Sequence, residues 1–184
     1  MKHPSSRAFF NYWDEKRGNA AAPDRSDMEP DAVRELLGDI FVLSNEPANR
    51  YPFRVAGTRV CALLGCDAKG RSFTSLFSAA SRREIEDILS VVAEETQPTI
   101  AGLTGRAVDG LPAHLELLLL PFSARAHTPL SLTGLLVPFQ PPAGPITDFR
   151  LTSWRYIAPR PSRRPRAVRR WNGVRGFIVY EGLR

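Results

Sequence analysis

Residues 99–122, TIAGLTGRAVDGLPAHLELLLLPF, decide the fold. Pro98 stops the helical pattern before them, and from Thr99 onward the residues alternate as strands do. Thr99–Val108 is one expected strand. Ala113–Phe122 is a second, with an apolar run long enough for a central place in a sheet. Asp109-Gly110 between them is a strong hairpin turn, because both residues tolerate positive φ. Leu132–Phe139 supplies a third strand, and Pro141-Pro142 breaks it.

Upstream of this stretch lies the clearest helix in the chain, Arg82–Thr96. Ser81 and Glu84 have capping-box spacing, and Ile85, Ile88, Leu89 and Val92 line one face. Ser72–Phe77 reads as one or two helical turns, and Thr58–Leu64 as a short helix opened by Gly57 and closed by Gly65. Further back, Ile40–Leu43 and Tyr51–Val55 read as strands joined by a turn over Ser44–Arg50. Two helices are expected before them. One is capped by Ser5 or Ser6, with Phe9, Tyr12 and Trp13 on one face, and ends by Gly18. The other begins at Pro30 and carries Val33, Leu36, Leu37 and Ile40. Ile146–Ile157, with Phe149, Leu151, Trp154 and Tyr156, is expected to pack back on the domain as a final arm. Strands at both ends and helices between them imply an α+β fold: a five-stranded antiparallel sheet with helices on one face, preceded by N-terminal helices.

Charge is unevenly distributed. Residues 159–184 hold eight arginines against one glutamate, +7, which leaves −1 of the chain's +6 for residues 1–158. The division expected is an N-terminal helix and loop over 1–27, the α+β domain over 28–158, and a basic tail over 159–184. The tail's bias toward Arg and Pro suits an extended segment that buries no core, although Phe177–Tyr180 could form a short strand or docking peptide. Arg163, Arg164, Arg166, Arg169 and Arg170, followed by Trp171, could meet phosphate, nucleic acid or anionic lipid. Apolar runs such as Leu115–Leu120 fall short of the ~20 residues a membrane helix needs. Cys61 and Cys66 form neither a CxxC pair nor half of a zinc site, and no secretory signal is visible, so a reducing, cytoplasmic setting is expected.

Two strands, a helical middle and three strands is the element order of a PAS domain. Four stretches resemble the single-domain PAS proteins common in alphaproteobacteria: Trp13-Asp14-Glu15-Lys16-Arg17, Pro23 through Pro30, Leu36 through Leu43, and Phe53 through Val60. The resemblance covers about Phe9 to Ile157. It implies a sheet whose concave side can enclose a small ligand, and regulatory rather than catalytic work. No room remains for a kinase, cyclase or DNA-binding output domain, so a signal would pass by contact with a signalling protein. A homodimer through the Phe9, Tyr12, Trp13 stripe is a further expectation.

Several residues are of types that can carry chemistry. His3, His114 and His127 stand beside no nucleophile or ligand partner and read as ordinary surface residues, and no catalytic motif is present. Some PAS proteins bind haem through a histidine on the long helix, but Arg82–Thr96 has none. Others bond flavin through a cysteine on the short helix after the second strand, about where Cys61 stands. Here Ala62 follows it, and Ala113–Leu120 offers leucines where that group has amides, so no cofactor is expected. A pocket, if one exists, would be walled by Phe53, Val55, Cys61, Leu64, Phe73, Leu76, Leu103, Leu117 and Leu135. Walls so apolar mean either an apolar ligand or a packed core. Glu116 is expected on the solvent face of its strand, with an inward ligand anchor as the alternative, and Arg54 and Arg106 on solvated strand faces.

Overall fold

The computed structural model describes residues 1–124 and 130–158, together with the paired segments 170–172 and 178–180. Six strands form one antiparallel sheet: β1 (Ile40–Ser44), β2 (Phe53–Ala56), β3 (Thr99–Ala107), β4 (Pro112–Pro121), β5 (Ser131–Pro138) and β6 (Ile146–Tyr156). Their spatial order is β2-β1-β5-β4-β3-β6. The five expected strands are thus all present. The segment expected as a packed-back arm is a sixth strand, bonded to β3 along most of its length.

The β3–β4 turn forms as its residues require. Gly110 has φ +81°, the Asp109 carboxylate accepts the Leu111 amide, and Ala107 and Leu111 close the hairpin. Three helices accompany the sheet: α1 (Pro4–Arg17), α2 (Thr58–Leu64) and α3 (Ala79–Glu94). The second expected N-terminal helix begins at Pro30 but is not an α-helix. Pro30–Leu36 is a pair of 3-10 turns, kinked where Val33 adopts φ −122°.

α3 begins at Ala79, so Ser81 lies inside its first turn and is not its cap. The Ser81 hydroxyl accepts the amide of Leu151 in β6, and Glu84 accepts the indole N–H of Trp154. The expected capping pair therefore ties the helix to the edge strand. On the inner sheet face, Ile85, Ile88, Leu89 and Val92 of α3 meet Leu103, Leu115, Leu117 and Leu119 in one core.

The outer face has its own core. Phe9, Phe10 and Trp13 of α1 cover Ile100, Leu118, Leu120, Leu135 and Val137. The indole N–H of Trp13, a fully buried residue, donates to the carbonyl of Pro121 at 2.9 Å. The stripe expected to join two copies is thus packed on the chain's own sheet. Of its three residues only Tyr12 lies at the margin, where its hydroxyl meets the backbone of Glu29. Helices therefore lie on both sheet faces. β4 is buried on both because α3 and α1 sandwich it.

In the tail, β7 (Arg170–Asn172) pairs antiparallel with β8 (Ile178–Tyr180) as a separate two-stranded sheet.

Candidate functional site

The inner face is where a ligand would be enclosed, and phenylalanines fill it. Phe41 of β1 stacks on Phe73 at 5.4 Å, and Phe53 of β2 meets both rings edge-on. Phe77 continues the row to Phe149 on β6. Phe73 and Phe77 flank the single 3-10 turn Thr74–Leu76, which holds both rings over the sheet. Gly134 of β5 makes room for this cluster, because a Cβ there would stand 2.3 Å from the Phe41 ring.

The nine expected pocket residues divide three ways. Phe53, Phe73, Leu103 and Leu117 are buried in the inner core, and Cys61, Leu64 and Leu76 pack half-buried against it. Val55 is 50% exposed, because a bulge at Arg54 shifts the register and sets Val55 opposite Val42 while Phe53 stands opposite the buried Leu43. Leu135 belongs to the outer core, packed under α1, and its neighbour Leu136 faces inward. The proposed walls therefore do not enclose one space. The Cys61 thiol lies 4.0 Å from the carbonyl of Ala56, its contact within the same segment.

Glu116 departs from expectation in a different way. It does stand on the outer face, opposite Gly102 and Val137, but only 4% of it is exposed. Its two carboxylate oxygens accept the amides of Lys2 (2.7 Å) and His3 (3.0 Å). These are backbone donors left unsatisfied at the start of α1, where a helix carries its partial positive charge. Burial alone would push this carboxyl up. The Lys2 amide, the Ser6 hydroxyl alongside and the His3 amide outweigh burial and hold it below the ordinary carboxylate range. Glu116 is thus the anchor of α1 rather than a solvated side chain or a ligand anchor. His3 shares the work: it caps α1, its Nδ1 accepting the Ser5 amide.

Asp39 and Arg59 form a second joint that the sequence reading did not single out as a pair. The guanidinium grips the carboxylate through Nε (2.7 Å) and Nη2 (2.8 Å), and also donates to the carbonyl of Glu35. This links α2 to the chain entering β1, beside the close approach of Gly57 to Leu37 and Gly38. The only hint was that both residues lie in stretches that carried the family resemblance. Arg54 and Arg106 are exposed, as is His114, whose ring meets the Thr104 hydroxyl. His127, Arg163, Arg164, Arg166 and Arg169 lie outside the described residues, as does the Arg170 side chain.

The stretch from α1 through most of β5, in which helical segments separate β2 from β3, is matched by a family model. That model, described as a PAS domain, covers residues 1–137. The chain belongs to the PAS domain family. Among solved structures, this PAS domain is similar to a LOV protein of Rhodobacter sphaeroides at 13% identity and TM-score 0.44, covering 61% of this chain and 69% of that one. It is similar to a PAS domain from Colwellia psychrerythraea at 12% identity and TM-score 0.43, covering 58% and 93%. A third is the PAS domain of an HTR-like protein from Haloarcula marismortui, at 21% identity and TM-score 0.42, covering 59% and 91%. No curated protein matches the chain.

Each of the two cofactors that the resemblance raised would call for a particular side chain in this PAS domain. The inward positions of β4 (Ala113, Leu115, Leu117 and Leu119) carry no carboxamide for the polar edge of a flavin ring. α3 carries no histidine for a haem iron. Among the described residues, no group of three or more His, Cys, Asp or Glu could hold a metal ion, and no helix is long and apolar enough to cross a membrane.

Proposed function

We propose that this PAS domain is a non-catalytic, cofactor-free signalling module that acts by contact with a partner protein. One observation carries the reading: five phenylalanine rings and the fully buried Leu117 fill the inner face, so what the domain presents to other molecules is its surface. Cys61 and Cys66 are free thiols, which suits a reducing, cytoplasmic setting. The alternative is a nucleic-acid-associated regulator, favoured by the +7 charge of residues 159–184 against −1 for the rest.

Leu117→Trp tests the packed inner face. An indole forced into a filled core costs about 1–3 kcal/mol of stability, read by urea unfolding. A variant as stable as the parent chain reveals spare volume and overturns the reading. So does mass spectrometry that finds a small molecule released in equal proportion to the natively purified protein.

A further inference from the structure

The outer sheet face has two halves, and α1 covers only the apolar one. The polar half presents Gly102, Thr104 and Arg106 of β3, His114 of β4, and Arg150 and Arg155 of β6. Two hollows, of about 670 Å³ and about 360 Å³, succeed one another along β3, with Lys2 at the rim of the larger. Lys2, Arg106 and Arg155 are exposed and make no ion pair among the described residues. The two acids of this face are both engaged, Asp148 by Arg150 at 3.0 Å and Glu116 by the start of α1. The face therefore carries net positive charge beside these hollows, Lys2, Arg106 and Arg155 against Glu116, on a body whose net charge is −1.

We propose that this half-face is a docking groove for an extended acidic peptide segment of a partner protein. The proposal rests on the partner-contact reading and names the surface that serves it. The spacing supports it. Side chains on one face of a strand recur about every 6.6 Å, and the run from Arg106 to the level of Arg155 is about 20 Å, or roughly six residues of extended chain. Acidic residues six positions apart in such a peptide stand level with Arg106 and Arg155. The groups between the cations favour a peptide over a phosphate backbone. Thr104, His114 and Ser153 can serve peptide amides and carbonyls. A body with almost no net charge also lacks the long-range field that gathers polyanions.

The test uses the full chain and a fluorescent synthetic peptide of about ten alternating aspartate and serine residues, long enough to span the groove. An oligothymidylate of similar length is the second probe. Anisotropy should show salt-sensitive peptide binding that weakens about tenfold in the double variant Arg106→Glu/Arg155→Glu. Both side chains are exposed, so the melting temperature should hold; Arg106→Gln/Arg155→Gln repeats the test should the reversal disturb folding. The control Arg34→Glu/Arg83→Glu alters two exposed arginines elsewhere and should leave binding unchanged. Equal peptide affinity in parent and double variant overturns the groove and assigns the binding to residues 159–184. Loss of oligothymidylate binding without loss of peptide binding overturns the choice of ligand. Neither failure touches the packed inner face, which the Leu117 variant decides.

Discussion

Replacing Glu116 with Gln keeps the side chain's size and removes its charge, so it isolates the anchor of α1. In the native chain two backbone amides meet the carboxylate at 2.7 and 3.0 Å. A hydrogen bond to a charged group contributes about 1.5–3 kcal/mol, and a carboxylate at a helix start about 0.3–1 kcal/mol more. Glutamine keeps one acceptor oxygen but turns an NH₂ toward the other amide, so one bond and the charge term are lost together. Relief of the buried charge returns part of that. The expected cost is about 2–3 kcal/mol at pH 7, measured by urea unfolding. Hydrogen exchange should show faster opening in α1 than in α3, because α3 makes no contact with this carboxylate.

The pH dependence gives a second signature. Glu116 titrates below its ordinary value in the folded chain, so its stabilisation is fully present above the unfolded value of about 4.3 and is lost as pH falls through the lower, folded value. The stability gap between parent and variant should therefore be widest at neutral pH, narrow below about pH 5, and close in stronger acid. A gap below about 0.5 kcal/mol at pH 7, or one that stays constant down to acid pH, would refute the anchor.

Two further outcomes follow from the packing and the charge. Leu89→Ala empties a fully buried position between α3 and the sheet and should cost about 2–5 kcal/mol in urea unfolding; a loss under about 1 kcal/mol contradicts its place in the core. Deleting residues 159–184 removes a net charge of +7 and should abolish any salt-sensitive shift of a DNA fragment in a gel; a shift that survives the deletion argues against the nucleic-acid alternative as stated.

Much of this architecture was legible in local pattern. Asp109-Gly110 between two apolar alternations marks the β3–β4 hairpin whatever surrounds it, since the turn needs only residues that accept positive φ. The stripe Ile85, Ile88, Leu89 and Val92 is an α-helical repeat that needs one apolar surface, and it has one. Gly57 and Gly65 bracket α2 as read. Other features were misread because the deciding partner lies far along the chain. Ser81 and Glu84 have the spacing of a cap, yet residues in β6, 70 positions away, take both side chains. Val33, Leu36 and Leu37 read as a helix, but the chain there turns at Val33 and closes as two 3-10 turns.

Periodicity and turn chemistry are properties of neighbours in sequence, so the sequence alone determined the first five strands, the antiparallel sheet and the core face of α3. It also determined the separation of a nearly neutral body from an arginine-rich end. Which face each element covers depends on residues brought together from distant positions. Only the tertiary structure decided that α1 packs its aromatic stripe on the chain's own sheet and that β6 lengthens that sheet. Only it decided that Leu135 and Val55 leave the expected pocket. The same holds for Glu116, whose partners stand 113 and 114 residues away: a lone carboxylate in a leucine-rich strand shows only that it must find donors, and the fold supplies them at the start of α1.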